Sequence, residues 1–227
     1  MRLSSIGRWV IDGAAVAFGC LVYSYLTLPD VRELARSNPS TTAFIELRAR
    51  EAREHGMAPR HEQRWVSYGR ISPSLKRAVL VAEDASFWSH DGVDYDELQK
   101  SIEAGWVKGR FRGASTLTQQ LAKNLYLSPT RSPVRKFREL LIARRLEAEL
   151  KKARIFEIYL NVIEWGDGVY GVEAASRKYF GLPASELGPS ESALLAAAII
   201  NPRELRPSHP TARLVARQQI ILRRMGA

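Results

Sequence analysis

Glu83 and Asp84 stand side by side where the apolar run LKRAVLV, residues 75–81, gives way to AEDASFWSHDG, residues 82–92. A helix ends more comfortably on lysine or arginine, because the negative pole of its dipole repels carboxylates. Two carboxylates placed there, with Phe87, Trp88, His90 and the turn residue Gly92 close behind, are either a cap or a centre for acid–base chemistry. His90 has no acid or second histidine at metal-ligand spacing, so it suits an orienting hydrogen bond rather than a metal.

A second stretch, RGASTLTQQLAKNLYL at residues 112–127, carries two faces. Leu117, Leu121 and Leu125 recur every four residues and form a stripe to be buried. Opposite them, Thr116, Gln119, Gln120 and Lys123 fall at i, i+3, i+4 and i+7, stacking a hydroxyl, two amides and an ammonium with no acidic partner. A solvated face usually mixes signs; this one reads as a binding surface. Gly113 permits a close approach, and Ser115 is the expected N-cap, leaving backbone donors that favour an anion nearby.

A third stretch, SPTRSPVRKFREL, crowds Arg131, Arg135, Lys136 and Arg138 around the start of a helix, where cations are unfavourable unless compensated. Glu139 lies three residues after Lys136 and four after Arg135, so an intrahelical salt bridge accounts for part of the cluster.

The elements that must position these groups are nearly all helical, and the predicted fold class is mostly α. Ser72 and Pro73 open one helix, and Ser132 and Pro133 open VRKFRELLIARRLEAEL, which continues or restarts through ARIFEIYLNVI. Asp94 and Glu97 form a capping box for DYDELQKSIEAGWV, with Leu98, Ile102 and Trp106 on one side. YGVEAASRKYF and SESALLAAAII are helical, the latter apolar enough to be central, and TARLVARQQIILRRM is amphipathic. Tyr159, Asn161, Gly168, Gly171 and Tyr179 read as packing and turn residues.

The 227 residues suffice for one sizeable core with a small appendage. With 34 Lys and Arg against 24 Asp and Glu, a net +10, the partner is expected to be anionic: nucleic acid, a phosphate-bearing substrate or an acidic membrane. A single cysteine, Cys20, excludes an intramolecular disulfide and a cysteine metal site. Residues 9–28, behind Arg2 and Arg8, have the length and apolarity of a membrane anchor, despite Asp12 near one edge. No A-x-A-like site follows to make it a cleaved signal peptide. The expected organisation is a cytoplasmic N-terminus over 1–8, a transmembrane anchor over 9–28, a stalk or connecting segment over 29–64 and a catalytic domain over 65–227.

EDASFWSHDG, GASTLTQQLAKN, RKFRE, KARIFEIYLN and GVYGVEAASRKYFG, in that order over about residues 65–200, resemble the motifs of the monofunctional biosynthetic peptidoglycan glycosyltransferases. That family shares its catalytic domain with bifunctional penicillin-binding proteins. Departures are DGVD in place of a frequent glycine-phenylalanine-aspartate turn, and Leu182 where a lysine often follows YFG; both touch the acceptor-side loop. The resemblance implies a lysozyme-like domain with a small membrane-facing lobe, for which the segment Gly105–Arg112 is a candidate mobile edge. It makes Glu83 the general base and Glu139 a second essential carboxylate, held ionised by Lys136. Lys123 and Arg131 match pyrophosphate-stabilising positions. Ser115, Thr116, Gln119, Gln120 and Asn124 match a donor-side polar face, with Asp84, Phe87, His90 and Gly92 in support. Burial against Phe87 and Trp88 would raise the pKa of the base towards neutrality.

The implied reaction transfers a lipid-linked glycan chain to the 4-hydroxyl of lipid II with inversion, releasing undecaprenyl pyrophosphate. Fixed positive charge must meet the negative charge developing on that leaving group. No cofactor is expected, and a divalent ion such as magnesium would ride on substrate pyrophosphate. Expected partners are lipid II, the lipid-linked strand, membrane lipids and other cell-wall or division proteins, with no nucleic acid. A lysozyme-like hydrolase or lytic enzyme is the nearest rival, and the cationic cluster speaks against it. A non-catalytic envelope scaffold or nucleic-acid binder leaves Glu83 and the glutamine stripe unexplained. No serine is followed three residues later by lysine and no KTG occurs, so a penicillin-type transpeptidase is excluded.

Overall fold

The structure, a computed structural model, describes residues 5–108, 115–130 and 132–227. In chain order the described elements are α1 (Ser5–Leu26), α2 (Ala43–Glu54), β1 (Glu62–Gln63), α3 (Pro73–Glu83), α4 (Tyr95–Lys108), α5 (Leu117–Tyr126), α6 (Pro133–Glu149) and α7 (Lys152–Val162). They are followed by β2 (Glu164–Gly166), β3 (Val169–Tyr170), α8 (Val172–Phe180), α9 (Pro189–Ala198) and α10 (Ala212–Met225). The predicted starts of α3 and α6 hold. Ser72 Oγ accepts the Ser74 N–H at 3.2 Å and Ser132 Oγ accepts the Arg135 N–H at 3.1 Å, each followed by proline in the first turn. Asp94 caps α4 through the Glu97 N–H at 2.8 Å.

Two groups of helices flank the site. α3 packs on α9 and α10, and the alanines of α9, buried from Ala193 to Ala198, let the neighbouring backbones approach closely. α5 packs on α6, α7 and α2, with Leu117, Leu121 and Leu125 buried as their spacing predicts. One continuous core joins both groups, including Leu75, Val79, Phe87, Ile142, Leu146 and Phe156. The C-terminal end of α3 and the N-terminal end of α5 are thereby held side by side.

Three expectations need correction. A small sheet of order β1-β3-β2 escaped the sequence, because strands two or three residues long cannot display alternation. β1 runs parallel to β3 and β2 antiparallel to it, with Trp165 and Tyr170 buried.

Residues 29–64 are not a free stalk. Val31 and Leu34 belong to the core, α2 lies on α5, and Arg48 donates to the buried Glu164 at 3.2 Å. Of the arginines in this segment, Arg48 and Arg60 pair with Glu164 and Asp167 of the domain.

Residues 9–28 are helical up to Leu26, and Trp9, Val16, Phe18, Tyr23 and Leu26 are exposed, but no helix among the described residues is long and apolar enough to cross a membrane. Asp12, the glycines and the serine and tyrosines dilute its hydropathy. Arg138 of α6 closes its last turn, donating to Thr27 Oγ1 at 2.8 Å, the Thr27 carbonyl at 3.0 Å and the Ser24 carbonyl at 3.5 Å.

Asn161 clamps the chain entering α3's side of the core. Its Oδ1 accepts the Val66 N–H at 2.8 Å, while Nδ2 donates to the Val66 carbonyl at 2.9 Å and to the Glu157 carbonyl at 2.8 Å. Gly171, at φ +78°, allows the backbone to pass where a Cβ would lie 2.7 Å from the Asn161 carbonyl oxygen. Asn161→Ala orphans both polar groups of buried Val66 and should destabilise the fold by about 1–3 kcal/mol in denaturant titration. An unchanged midpoint would show that water replaces the amide.

Candidate active site

The two adjacent carboxylates have separate employments. Asp84 is the C-cap residue of α3, its N–H reaching the Leu80 carbonyl at 2.8 Å. Its carboxylate accepts the Leu117 N–H at 2.8 Å at the start of α5, where the positive pole of that helix favours it. It also meets His90 Nε2 at 3.0 and 3.1 Å. The Gly92 N–H donates to His90 Nδ1 at 3.2 Å, so the ring carries its proton on Nε2 and gives it to Asp84. His90 thus orients the turn. Gly92 has φ +83°, and its carbonyl accepts from Thr116 Oγ1 at 2.8 Å and Gln119 Nε2 at 3.3 Å.

Glu83 turns the other way. Its Oε2 accepts from Gln120 Nε2 at 3.1 Å and its Oε1 faces Arg217 Nη2 of α10 at 3.5 Å, with 13% of the side chain exposed. Burial raises its pKa above the ordinary glutamate value, with the Gln120 hydrogen bond and the charges of Arg217 and Lys123 opposing the rise. The aromatic pair expected beside it packs elsewhere: Phe87 is buried with its ring against Trp88, His90 and Phe156, and half of Trp88 is exposed.

The polar face of α5 divides along its length. Thr116, rather than Ser115, is the N-cap, accepting the Gln119 N–H at 3.2 Å. Thr116 and Gln119 are buried and occupied with the Gly92 turn. Gln120 joins Glu83 to Tyr159, whose hydroxyl donates to Gln120 Oε1 at 3.0 Å. Lys123 and Asn124 face a cleft of about 260 Å³ whose other walls include Phe44, Arg48, Glu164 and Asn201. Among the described residues no hydrogen bond or ion pair engages Lys123 Nζ, which sits 5.9 Å from the centre of the Phe44 ring. Burial lowers its pKa, opposed by Glu139 and assisted by the like charges of Arg135 and Lys136.

Glu139 is buried between Arg135 Nη1, at 2.5 Å, and Lys136 Nζ. Lys136 also donates to Ser115 Oγ and Gln119 Oε1, each at 3.0 Å, so it ties α6 to the start of α5. The intrahelical pairing read from the spacing is present, and Glu139 is part of an architectural hub behind Lys123. Arg138 leaves the cationic cluster to hold α1. Arg131, Gly113 and the Gly109–Arg112 part of the candidate mobile edge lie outside the described residues. Among the described residues no group of three or more histidines, cysteines or acids could hold a metal ion.

Two site residues escaped the sequence. Tyr159 looked like packing, and its apolar neighbours gave no hint that its buried hydroxyl would reach Gln120. Arg217 sits in an arginine-rich amphipathic helix, a pattern that reads as solvated. Its available signal was position: Leu214 and Ile221, three before and four after it, are core residues, so Arg217 lies at the inner edge of the helix.

The raised pKa of Glu83 has a consequence for stability. A carboxyl that is harder to ionise folded than unfolded contributes stability at low pH, and that contribution fades as pH rises through its native pKa. Glu83→Gln mimics the protonated form. Its melting temperature relative to the parent should therefore rise progressively as pH climbs above the ordinary value of 4.5. A difference that is flat with pH in calorimetry, or that falls, would contradict the burial.

Known proteins resemble this chain along most of its length. The family described as Transglycosylase matches residues 51–226. A biosynthetic peptidoglycan transglycosylase of Laribacter hongkongensis is 44% identical over 221 residues, covering 96% of this chain and 97% of that protein. Proteins of the same name from Dechloromonas aromatica (48% over 191 residues, 84% and 83% covered) and Aromatoleum aromaticum (53% over 169 residues, 73% of each) are also similar. With a matched segment that contains Glu83, Lys123, Glu139 and Arg217, the chain belongs to the transglycosylase family.

Proposed function

We propose that the protein polymerises peptidoglycan glycan strands, acting on lipid II and a lipid-linked growing strand. The observation that carries the reading is Glu83, a shielded carboxylate with raised proton affinity, linked through Gln120 to the helix that presents Lys123 to an open cleft. Glu83 removes the proton of the acceptor 4-hydroxyl as its oxygen bonds to the anomeric carbon of the donor. The bond from that carbon to undecaprenyl pyrophosphate breaks on the opposite face, giving inversion and a β-1,4 link. Lys123, with Arg131, meets the charge released on the pyrophosphate, and Asn124 and Gln120 line the approach. Lys136 and Glu139 fix the helix behind these cations. Any divalent ion such as magnesium binds the substrate's phosphates and retains water.

A glycoside hydrolase of lysozyme-like fold would share the carboxylate but release no anion for Lys123 to meet. The helical lobes around the cleft suit a lysozyme-like domain whose smaller lobe, near α4, faces the membrane. The exposed apolar residues of α1 support attachment to the bacterial inner membrane, with the catalytic domain on the periplasmic side. Other cell-wall or division proteins would direct it there, and cross-linking falls to another enzyme.

On fluorescent lipid II, Glu83→Gln should lower strand synthesis by roughly two to four orders of magnitude while leaving substrate binding intact. Lys123→Ala should weaken both binding and turnover. Synthesis near the parental rate by Glu83→Gln would remove Glu83 as the base and turn attention to Asp84 or Glu139. For location, a C-terminally tagged chain should sediment with inner membranes and be cut by protease added to spheroplasts. Recovery in the soluble fraction, or protection from the protease, would exclude this placement.

A further inference from the structure

Arg217 stands outside every motif that marks the site, yet among the described residues it is the cation within ion-pair distance of the Glu83 carboxylate. Its Nη2 lies 3.5 Å from Glu83 Oε1, and its Nε is buried without a hydrogen-bond partner among the described residues. The helix that carries it is firmly seated. The next residue, Gln218, donates to the Ser190 carbonyl at 2.9 Å and to Ser190 Oγ at 3.1 Å, and Leu214 and Ile221 are core residues. A guanidinium stays charged across the working pH range, so Arg217 cannot itself be a base.

We infer that Arg217 is a positioning residue for the reaction, which holds Glu83 ionised and aimed while the substrate's phosphates occupy Lys123. This rests on the reading of Glu83 as general base. The groups facing Glu83 are Gln120 and Lys123 of α5, Arg217 of α10, its neighbour Asp84, and Tyr159 of α7. Burial and Asp84 push its proton affinity up, and Gln120 cannot change charge. In the empty site two cations oppose that push. When a pyrophosphate binds Lys123, its negative charge cancels most of what the ammonium offers Glu83. Arg217 is then the remaining cation that keeps the base unprotonated at the moment it is needed.

Removing Arg217 raises the proton affinity of Glu83, so the acidic limb of the rate profile moves to higher pH. The limb of kcat/KM reports the free enzyme, and that of kcat the substrate complex. In full-length enzyme assayed on fluorescent lipid II, Arg217→Gln should shift the kcat limb upward by on the order of one pH unit. The kcat/KM limb should shift less, because Lys123 is unencumbered before binding. Arg217→Lys keeps the charge and should leave both limbs near their parental positions.

A uniform loss of rate in Arg217→Gln with both limbs unmoved would overturn the inference and reduce Arg217 to a packing residue. If Arg217→Gln does not fold, by melting and circular dichroism, Arg217→Lys decides. Limbs at parental pH then support the inference, and a kcat limb moved as far as a lost charge predicts overturns it. Glu83→Gln in the same series separates the two readings. A near-parental rate there removes the base itself, whereas an inactive Glu83→Gln with an unshifted Arg217→Gln removes only the role of Arg217.

Discussion

The site depends on one shared carboxylate. Asp84 ends α3 and, through the Leu117 N–H, begins α5, so a single side chain joins the negative pole of one helix to the positive pole of the next. At its own helix terminus the charge is unfavourable, and the contact with α5 and the His90 N–H offset that cost. With the junction made, Glu83 is forced to the opposite side of the chain, where Gln120 and Arg217 receive it. Adjacent residues point apart at a helix end, and that divergence separates the carboxylate that joins two helices from the one turned towards Gln120 and Arg217.

Around this junction, cations are graded by how fully they are engaged. Arg135 and Lys136 are committed to Glu139, Arg138 to the end of α1, and Arg217 is shared with Glu83. Lys123 alone of this set has no polar partner among the described residues, and it faces the cleft. Desolvation without a counter-ion makes its ammonium costly in the empty protein. An anion brought into the cleft would recover that cost, because the buried ammonium is an unmet electrostatic demand.

Much of this was legible in the sequence because local rules and global packing agree there. The Ser-Pro helix starts, the leucine stripe of α5 and the alanine-rich α9 behave as their spacing dictates. The pairing of Glu139 with Arg135 and Lys136 is a neighbour effect within one helix and could be read directly. Contacts between distant segments could not. Gln120 with Tyr159 and Glu83 with Arg217 are separated by 39 and 134 residues, and no periodicity encodes such meetings. The same reason explains the supposed stalk: Arg48 looks solvated until Glu164, 116 residues later, is seen beside it. Ser115 lost the cap to Thr116 because both can cap, and only the position of the Gly92 carbonyl decides between them.

The grip of Arg138 on the end of α1 has a mechanical corollary. Three hydrogen bonds from one planar guanidinium to Thr27 and Ser24 resist twisting as well as stretching, and the next residue along α6 is Glu139. A load carried by α1 is therefore delivered to α6 one residue from the carboxylate that stands behind Lys123.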